Sequence, residues 1–292
     1  KHNPKNPDWV NRDRFILSAG HGSALIYSLL HLYGYGLTND DLKNFRQLGS
    51  KTPGHPEYGH TLGIEATTGP LGQGIAMGLG MAMAEAHMRA KFNTEEMDII
   101  DHYTYVLSGD GCLMEGISNE AASLAGSLGL GKLIVLYDSN SITIEGSTDL
   151  AFKENVRGRF EALGWETILV EDGNDIEKIE EAIKTAKQDS TKPTLIEIRT
   201  EIGYGTSKQG NSSAHGEPLG SEAMTDMKNR MKWDNDHFHV PQEVSDYMEQ
   251  IIEKGKEEED NWNSKLDKYR GKYPDLTKEF ESWLNLELPL DY

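Results

Sequence analysis

Two short polar segments carry the clearest chemistry in this chain. Leu107-Ser108-Gly109-Asp110-Gly111 closes one apolar run, and Asp138-Ser139-Asn140 follows another, Leu133 to Tyr137. Asp110 offers a carboxylate and Asn140 an amide oxygen, a pair that suits a hard cation. Mg2+ prefers six oxygens, accepts one or two carboxylates from protein, and completes its shell with water and phosphate oxygens. The pair therefore predicts a metal-held diphosphate. The two residues can meet only if neighbouring strands deliver them. The stretch between the apolar runs reads as a helix, which makes a strand, a helix and a strand. In an open parallel sheet, ligands bind in the crevice at the carboxyl ends of the strands. Gly109 and Gly111 let the turn bend and bring backbone N–H groups close to an anion, while a helix beginning near Leu113 points its positive end there.

A second glycine-rich turn, Thr67-Thr68-Gly69-Pro70-Leu71-Gly72-Gln73-Gly74, also enters a helix. Alone it is the punctuation of any loop that meets a helix. Beside the first turn it gains meaning, because two such turns facing one crevice can grip both ends of one cofactor. Of ten histidines, three stand in glycine-flanked loops: His21, His55 and His215. Loops at strand ends display residues that bind phosphate or move protons, although any one of these could equally be a satisfied structural histidine. His60 and His102 carry no such pattern, and His31, His87, His237 and His239 read as helix or surface residues. Cys112, the single cysteine, is compatible with a reducing compartment and reads as a small buried apolar residue beside the Asp-Gly turn.

The elements that must position these residues alternate between helical and β-rich patterns, the mark of an α/β sheet with helices on both faces. Strands are predicted over Tyr103 to Leu107, Leu133 to Tyr137, Thr167 to Val170 and Thr194 to Thr200. Asp175 to Lys187 places Ile176, Ile179, Ile183 and Ala186 on one face, as an amphipathic surface helix does. In the helix from Leu71 to Phe92, Gly74, Gly78, Ala82 and Ala86 recur every fourth residue. Such a stripe predicts close packing against a neighbouring backbone, with a second subunit as one candidate. Residues 1–220 read as the α/β domain. Residues 221–292 read as a mostly helical acidic extension and linker. The opening Lys1 to Pro7 lacks a signal peptide's apolar segment and reads as a start inside a longer sequence, and Leu286 to Tyr292 as an interrupted linker.

A formal charge of −19 and a pI near 4.9 argue against nucleic acid or an acidic membrane as partner. No apolar stretch is long enough to span a bilayer, which with the lone cysteine predicts a cytoplasmic protein. There is no zinc-type ligand spacing, no P-loop and no Gly-x-Ser-x-Gly elbow.

Taken in order, Asp13 to Gly22, Phe45 to Leu48, Thr52 to Glu57, Thr67 to Gly74, Gly109 to Gly116 and Ile202 to Gly205 resemble the transketolase family, specifically its half that binds the diphosphate of thiamine diphosphate. The resemblance runs through almost the whole chain. It implies the thiamine-diphosphate-binding fold, with Asp110, Asn140 and the carbonyl of Ile142 as ligands of Mg2+ or Ca2+, and Gly111 donating its N–H to the phosphates. His21 and His215 match positions beside the diphosphate and the sugar, and His55 one that contacts donor hydroxyls. Gly69 and Leu71 match the surroundings of the cofactor rings, Ile144 the contact on the thiazolium, and Glu115 and Glu120 acids near a subunit contact. The implied reaction moves a two-carbon ketol unit from a ketose phosphate to an aldose phosphate, within the pentose phosphate pathway.

The departures are equally specific. The family's Ser-Gly-His-Pro-Gly segment does not appear, nor does the domain with the pyrimidine-binding glutamate and the arginines that clamp the sugar phosphate. The resemblance thus implies a chain that needs a complementary pyrimidine-binding domain or subunit, in a homodimer or heterotetramer, and that binds the cofactor weakly without it. Two alternatives stand beside this reading. One is another thiamine-diphosphate enzyme, such as dihydroxyacetone synthase, deoxyxylulose-phosphate synthase or a 2-oxo-acid dehydrogenase component. The other is a non-catalytic or partner-dependent subunit of a split transketolase.

Overall fold

β-branched and aromatic runs assemble into a five-stranded, wholly parallel sheet in the order β1-β2-β3-β7-β6. The computed structural model describes residues 1–216 and 218–288, so residues 289–292 of the expected linker lie outside the described residues. In chain order the elements are β1 (Arg14–Leu17), α1 (Ser23–Leu32), α2 (Asn39–Lys43), α3 (Gln73–Phe92), β2 (Thr104–Gly109), α4 (Asp110–Met114), α5 (Gly116–Leu128) and β3 (Leu133–Ser139). There follow a small hairpin, β4 (Ile142–Thr143) with β5 (Gly146–Ser147), then α6 (Val156–Ala162), β6 (Glu166–Val170), α7 (Ile176–Ala186) and β7 (Thr194–Arg199). Three helices complete the chain: α8 (Gly220–Arg230), α9 (Gln242–Lys272) and α10 (Pro274–Leu284).

Alternation along the strands buries both faces, as a parallel sheet requires. Ile16, Val106, Val135, Tyr137 and Leu195 face a core shared with Ile75, Ala122 and Phe160 of α3, α5 and α6. On the opposite face Ile134, Ile196 and Ile198 meet Ala182 and Ala186 of α7, while Leu17 packs with Ile26 and Leu30 of α1. The register sets the functional end, for Gly109 stands opposite Asp138, so the residues following each strand emerge side by side.

The four expected strands are present with ends shifted by one or two residues. β1 is added to them: four residues beginning with arginine give little period-two signal, and pairing with β2 decides the matter. The helix expected near Leu113 begins at Asp110, and Glu115, at ψ 140°, breaks it before α5 resumes. The helix expected from Leu71 begins at Gln73, because Gly72 holds φ +80° at its N-cap. The expected helix over 175–187 is α7, whose N-cap Asp175 accepts the Lys178 N–H at 3.0 Å.

The small-residue stripe packs on the chain's own sheet, which corrects the second-subunit reading of it. A Cβ on Gly74 would lie 2.5 Å from Ser18 Cα, and one on Gly78 2.4 Å from Val106 Cγ2. Bulk at either position would lift α3 off β1 and β2. Helices α9 and α10 close a separate cluster around Trp9, Phe92, Ile99 and Ile100. Trp262 Nε1 donates to the Ile99 carbonyl at 2.7 Å and Tyr269 Oη to that of Phe92 at 2.6 Å. Among the described residues no helix is long and apolar enough to cross a membrane.

Candidate functional site

Asp110, the first residue of α4, lies only 4% exposed at the end of β2. Its Oδ1 accepts the Tyr137 hydroxyl at 2.5 Å, and its Oδ2 accepts the backbone N–H groups of Asn140 at 3.2 Å and Ser141 at 3.0 Å. Asp110 and the main chain of Asn140 are therefore in direct contact. Asn140 is itself braced, since its Oδ1 accepts the Ile142 N–H at 3.0 Å and its Nδ2 donates to Asp138 at 3.3 Å. Thr200, just past β7, donates its hydroxyl to the other Asp138 oxygen.

The glycine turns close on this strand end from the α3 side. Leu71 rests against Gly111, where a Cβ would come within 3.0 Å of Leu71 Cδ1. Gly72 abuts Glu115, Ile117 and Ser118, and Gly20 abuts Thr68 and the N–H of Gly69, so side chains at either glycine would part the loops. Thr68 Oγ1 donates to the Leu17 carbonyl at 2.8 Å, tying the turn to β1.

The three loop histidines gather at the same end. His21 and His215 lie ring to ring with centroids 4.9 Å apart. His55 packs over Gly69, 3.5 Å from where a Cβ would stand, and its loop is held by Tyr27 Oη on the His55 carbonyl at 3.2 Å. Burial lowers the His21 pKa, and the neighbouring His215 and His55 lower it further, against a smaller opposing pull from Asp138. His21 is accordingly a neutral imidazole at neutral pH. The His215 Nδ1 is buried with no hydrogen-bond partner among the described residues.

Other candidates sit apart from this core. Ile144, at the tip of the β4–β5 hairpin, is 68% exposed. Glu115 and Glu120 are exposed on the rim, and Cys112 is buried 3.5 Å from the Ser18 hydroxyl, as its bland reading holds. Two participants were not singled out by sequence reasoning, Tyr137 and Asp138. Their signal was their place at the end of β3, where period-two alternation sends them to opposite faces.

Among the described residues every hydrogen-bond donor on the Asp110 carboxylate is neutral. Its pKa is raised, chiefly by burial and also by the Asp138 charge, with the three hydrogen bonds pulling the other way. Among the described residues this buried carboxylate, beside a second carboxylate, has no cationic side chain paired with it, and a divalent cation fits that lack. Among the described residues no three His, Cys, Asp or Glu side chains are grouped to hold a metal. A cation here would draw on Asp110, amide and backbone oxygens, and oxygens from outside the protein, which is Mg2+-type or Ca2+-type chemistry.

Comparison with known proteins places the chain in a family. A family model described as the thiamine diphosphate binding domain of transketolase matches residues 1–289. The chain is 58% identical over 281 residues to a transketolase of Streptococcus pyogenes, covering 96% of the chain and 38% of the relative. It is 54% identical over 292 residues to one of Bacillus subtilis, covering 99% of the chain and 44% of the relative. The chain thus spans less than half the length of these curated relatives. Among solved structures, a transketolase from Leishmania mexicana superposes with a TM-score of 0.97 at 49% identity, covering 99% of this chain and 44% of that one. A Pichia stipitis transketolase in complex with sedoheptulose-7-phosphate gives 0.97 at 47% identity, covering 99% and 43%.

Proposed function

The chain belongs to the transketolase family, within its thiamine diphosphate binding domain, and from that premise we propose that it supplies the metal- and diphosphate-binding half of a site that transfers a two-carbon ketol unit between sugar phosphates. The observation that carries the reading is the buried Asp110 carboxylate, lodged against Asn140 with only neutral donors around it. Asp110, Asn140 Oδ1 and the Ile142 carbonyl would hold Mg2+ or Ca2+, and the Gly111 N–H would meet the diphosphate. Gly69 and Leu71 would line the cofactor, with Ile144 against its thiazolium. The exposure of Ile144 supports a site whose opposing wall comes from elsewhere.

Thiamine diphosphate, when bound, supplies the nucleophilic carbon and the electron sink. The protein's part is positioning and proton movement. His21, kept neutral by burial, can take a proton from a sugar hydroxyl, and His215, whose buried Nδ1 has no hydrogen-bond partner among the described residues, lies ring to ring with it. His55 borders the same space, on the side of Gly69. A ketose phosphate donor and an aldose phosphate acceptor, a complementary pyrimidine-binding domain or subunit, homodimeric or heterotetrameric assembly, and a cytoplasmic role in the pentose phosphate pathway belong to the same proposal.

Calorimetric titration of the chain with thiamine diphosphate, with and without Mg2+, tests it. Binding that depends on Mg2+ and disappears in Asp110→Ala supports the reading. Binding indifferent to both removes its basis.

A further inference from the structure

We propose that Tyr137 is the positioning residue of the cation site, acting on the metal through Asp110 and not as a ligand. The inference rests on the reading of Asp110 as the residue that holds the cation, and adds what fixes its carboxylate. The two carboxylate oxygens are held in different ways. Oδ2 is held by main chain, the successive N–H groups of Asn140 and Ser141, which converge on it because Ser141 adopts the left-handed conformation at φ +61°. Oδ1 is held by a single side chain, the Tyr137 hydroxyl at 2.5 Å.

The tyrosine ring is anchored independently of the site. It is 3% exposed and belongs to the main core cluster with Val135 and Val156. Its phenol is thus a donor on a rigid support, aimed at one oxygen of a carboxylate that water hardly reaches. Without the phenol, the carboxylate would be held at Oδ2 alone and could swing about that oxygen. With it, the carboxylate plane is set, and the lone pairs not used by these donors face a fixed direction. Partners one step removed from a metal typically change its affinity 10- to 100-fold when lost.

The test uses Mn2+ as probe, in the presence of inorganic pyrophosphate, followed by electron paramagnetic resonance on the full chain, with melting temperature measured in parallel. Y137F is expected to weaken Mn2+ binding by about tenfold or more and to broaden the bound-Mn2+ spectrum as the carboxylate loses its fixed plane. V135A, a core change in the same strand, is the control: it should lower the melting temperature while leaving Mn2+ affinity in place. Wild-type and Y137F affinities within twofold of one another overturn the inference and leave the Asp110 reading standing. So does a loss in V135A equal to that in Y137F, since a merely structural tyrosine would act that way. A wild-type chain that binds no Mn2+ under these conditions overturns the Asp110 reading, and the inference with it. If Y137F does not fold, Y137M takes its place, and an affinity within twofold of wild type there overturns the proposal.

Discussion

His21 and His215 face each other across the candidate site, centroids 4.9 Å apart and planes inclined by 41°. Neither ring is free to ignore the other, because protonating one places a charge against its neighbour in a partly buried space. The His21 pKa is lowered first by burial and next by His215. Replacing His215 by asparagine removes the second cause and loosens the first, so the titration of His21 should move up toward the ordinary imidazole range. NMR observation of the His21 ring through a pH titration measures this directly. An unchanged or lowered midpoint in the variant would show that the two rings are not coupled.

Three glycines of α3 should respond to alanine in opposite ways. At Gly80 an added Cβ meets nothing within 4 Å, so G80A should stabilise the chain by about 1 kcal/mol through helix propensity. At Gly78 the Cβ would fall 2.4 Å from Val106 Cγ2 inside a sealed core. Overpacking there costs about 1–3 kcal/mol, which outweighs the propensity gain. At Gly74 the atom met is the Ser18 Cα, which belongs to backbone and cannot turn aside. G74A should therefore destabilise at least as much as G78A and also disturb the loop carrying His21. Denaturant unfolding of the three variants gives the order, and a G78A chain as stable as G80A would refute the packing argument.

How much of this could be read before the structure follows from what each feature depends on. β2, β3, β6 and β7 were legible because each is a short run dominated by aliphatic and aromatic residues, and a parallel sheet then brings the Asp110 end of one strand beside the Asn140 end of the next. β1 was not legible, since Arg14 to Leu17 acquires its strand character from β2. The start of α4 at Asp110 was hidden by flanking glycines that read as a turn. The loops holding His21, His55 and His215 stood out by their glycines, yet which rings meet depends on segments far apart in sequence. Tyr137 lay inside an expected strand, where an aromatic residue reads as core. It is core, and its hydroxyl reaches the site because Tyr137 lies near the end of β3, beside Asp110.

His102 lies at the opposite end of the sheet, just before β2, and ties stability to pH. It is 4% exposed, and burial, reinforced by the charges of Arg14, Lys1, Lys132 and Arg12, lowers its pKa to about 3. The folded chain keeps this imidazole neutral, while the unfolded chain protonates it near pH 6.5. Below that value the unfolded state binds the extra proton. Stability from this group is thus complete above about pH 6.5 and declines as pH falls toward 3. Between pH 7 and pH 5 the loss should be about 2 kcal/mol. His102→Gln should flatten that part of the profile, whatever it does to stability at neutral pH. Unfolding free energies of both chains at pH 7 and pH 5 check it, and an equal decline in the two would rule His102 out as the source.

The chain on its own should not turn over. Its contribution to the proposed site is one wall, made of Asp110, Asn140, the glycine turns and three histidines, with Ile144 standing 68% exposed above it. Positioning a reacting carbon demands groups on both sides of the bound cofactor, and effective molarity collapses when one side is solvent. Ketol transfer from a ketose phosphate to an aldose phosphate, assayed on the purified chain with Mg2+ and thiamine diphosphate, should therefore stay at background. Adding the separately folded pyrimidine-binding half of a close relative should raise it, and the gain should vanish with Asp110→Ala. Turnover at ordinary enzyme rates by the chain alone, on the order of 1–1000 per second, would mean that these residues complete a site by themselves. The half-site reading would then give way to a self-sufficient enzyme.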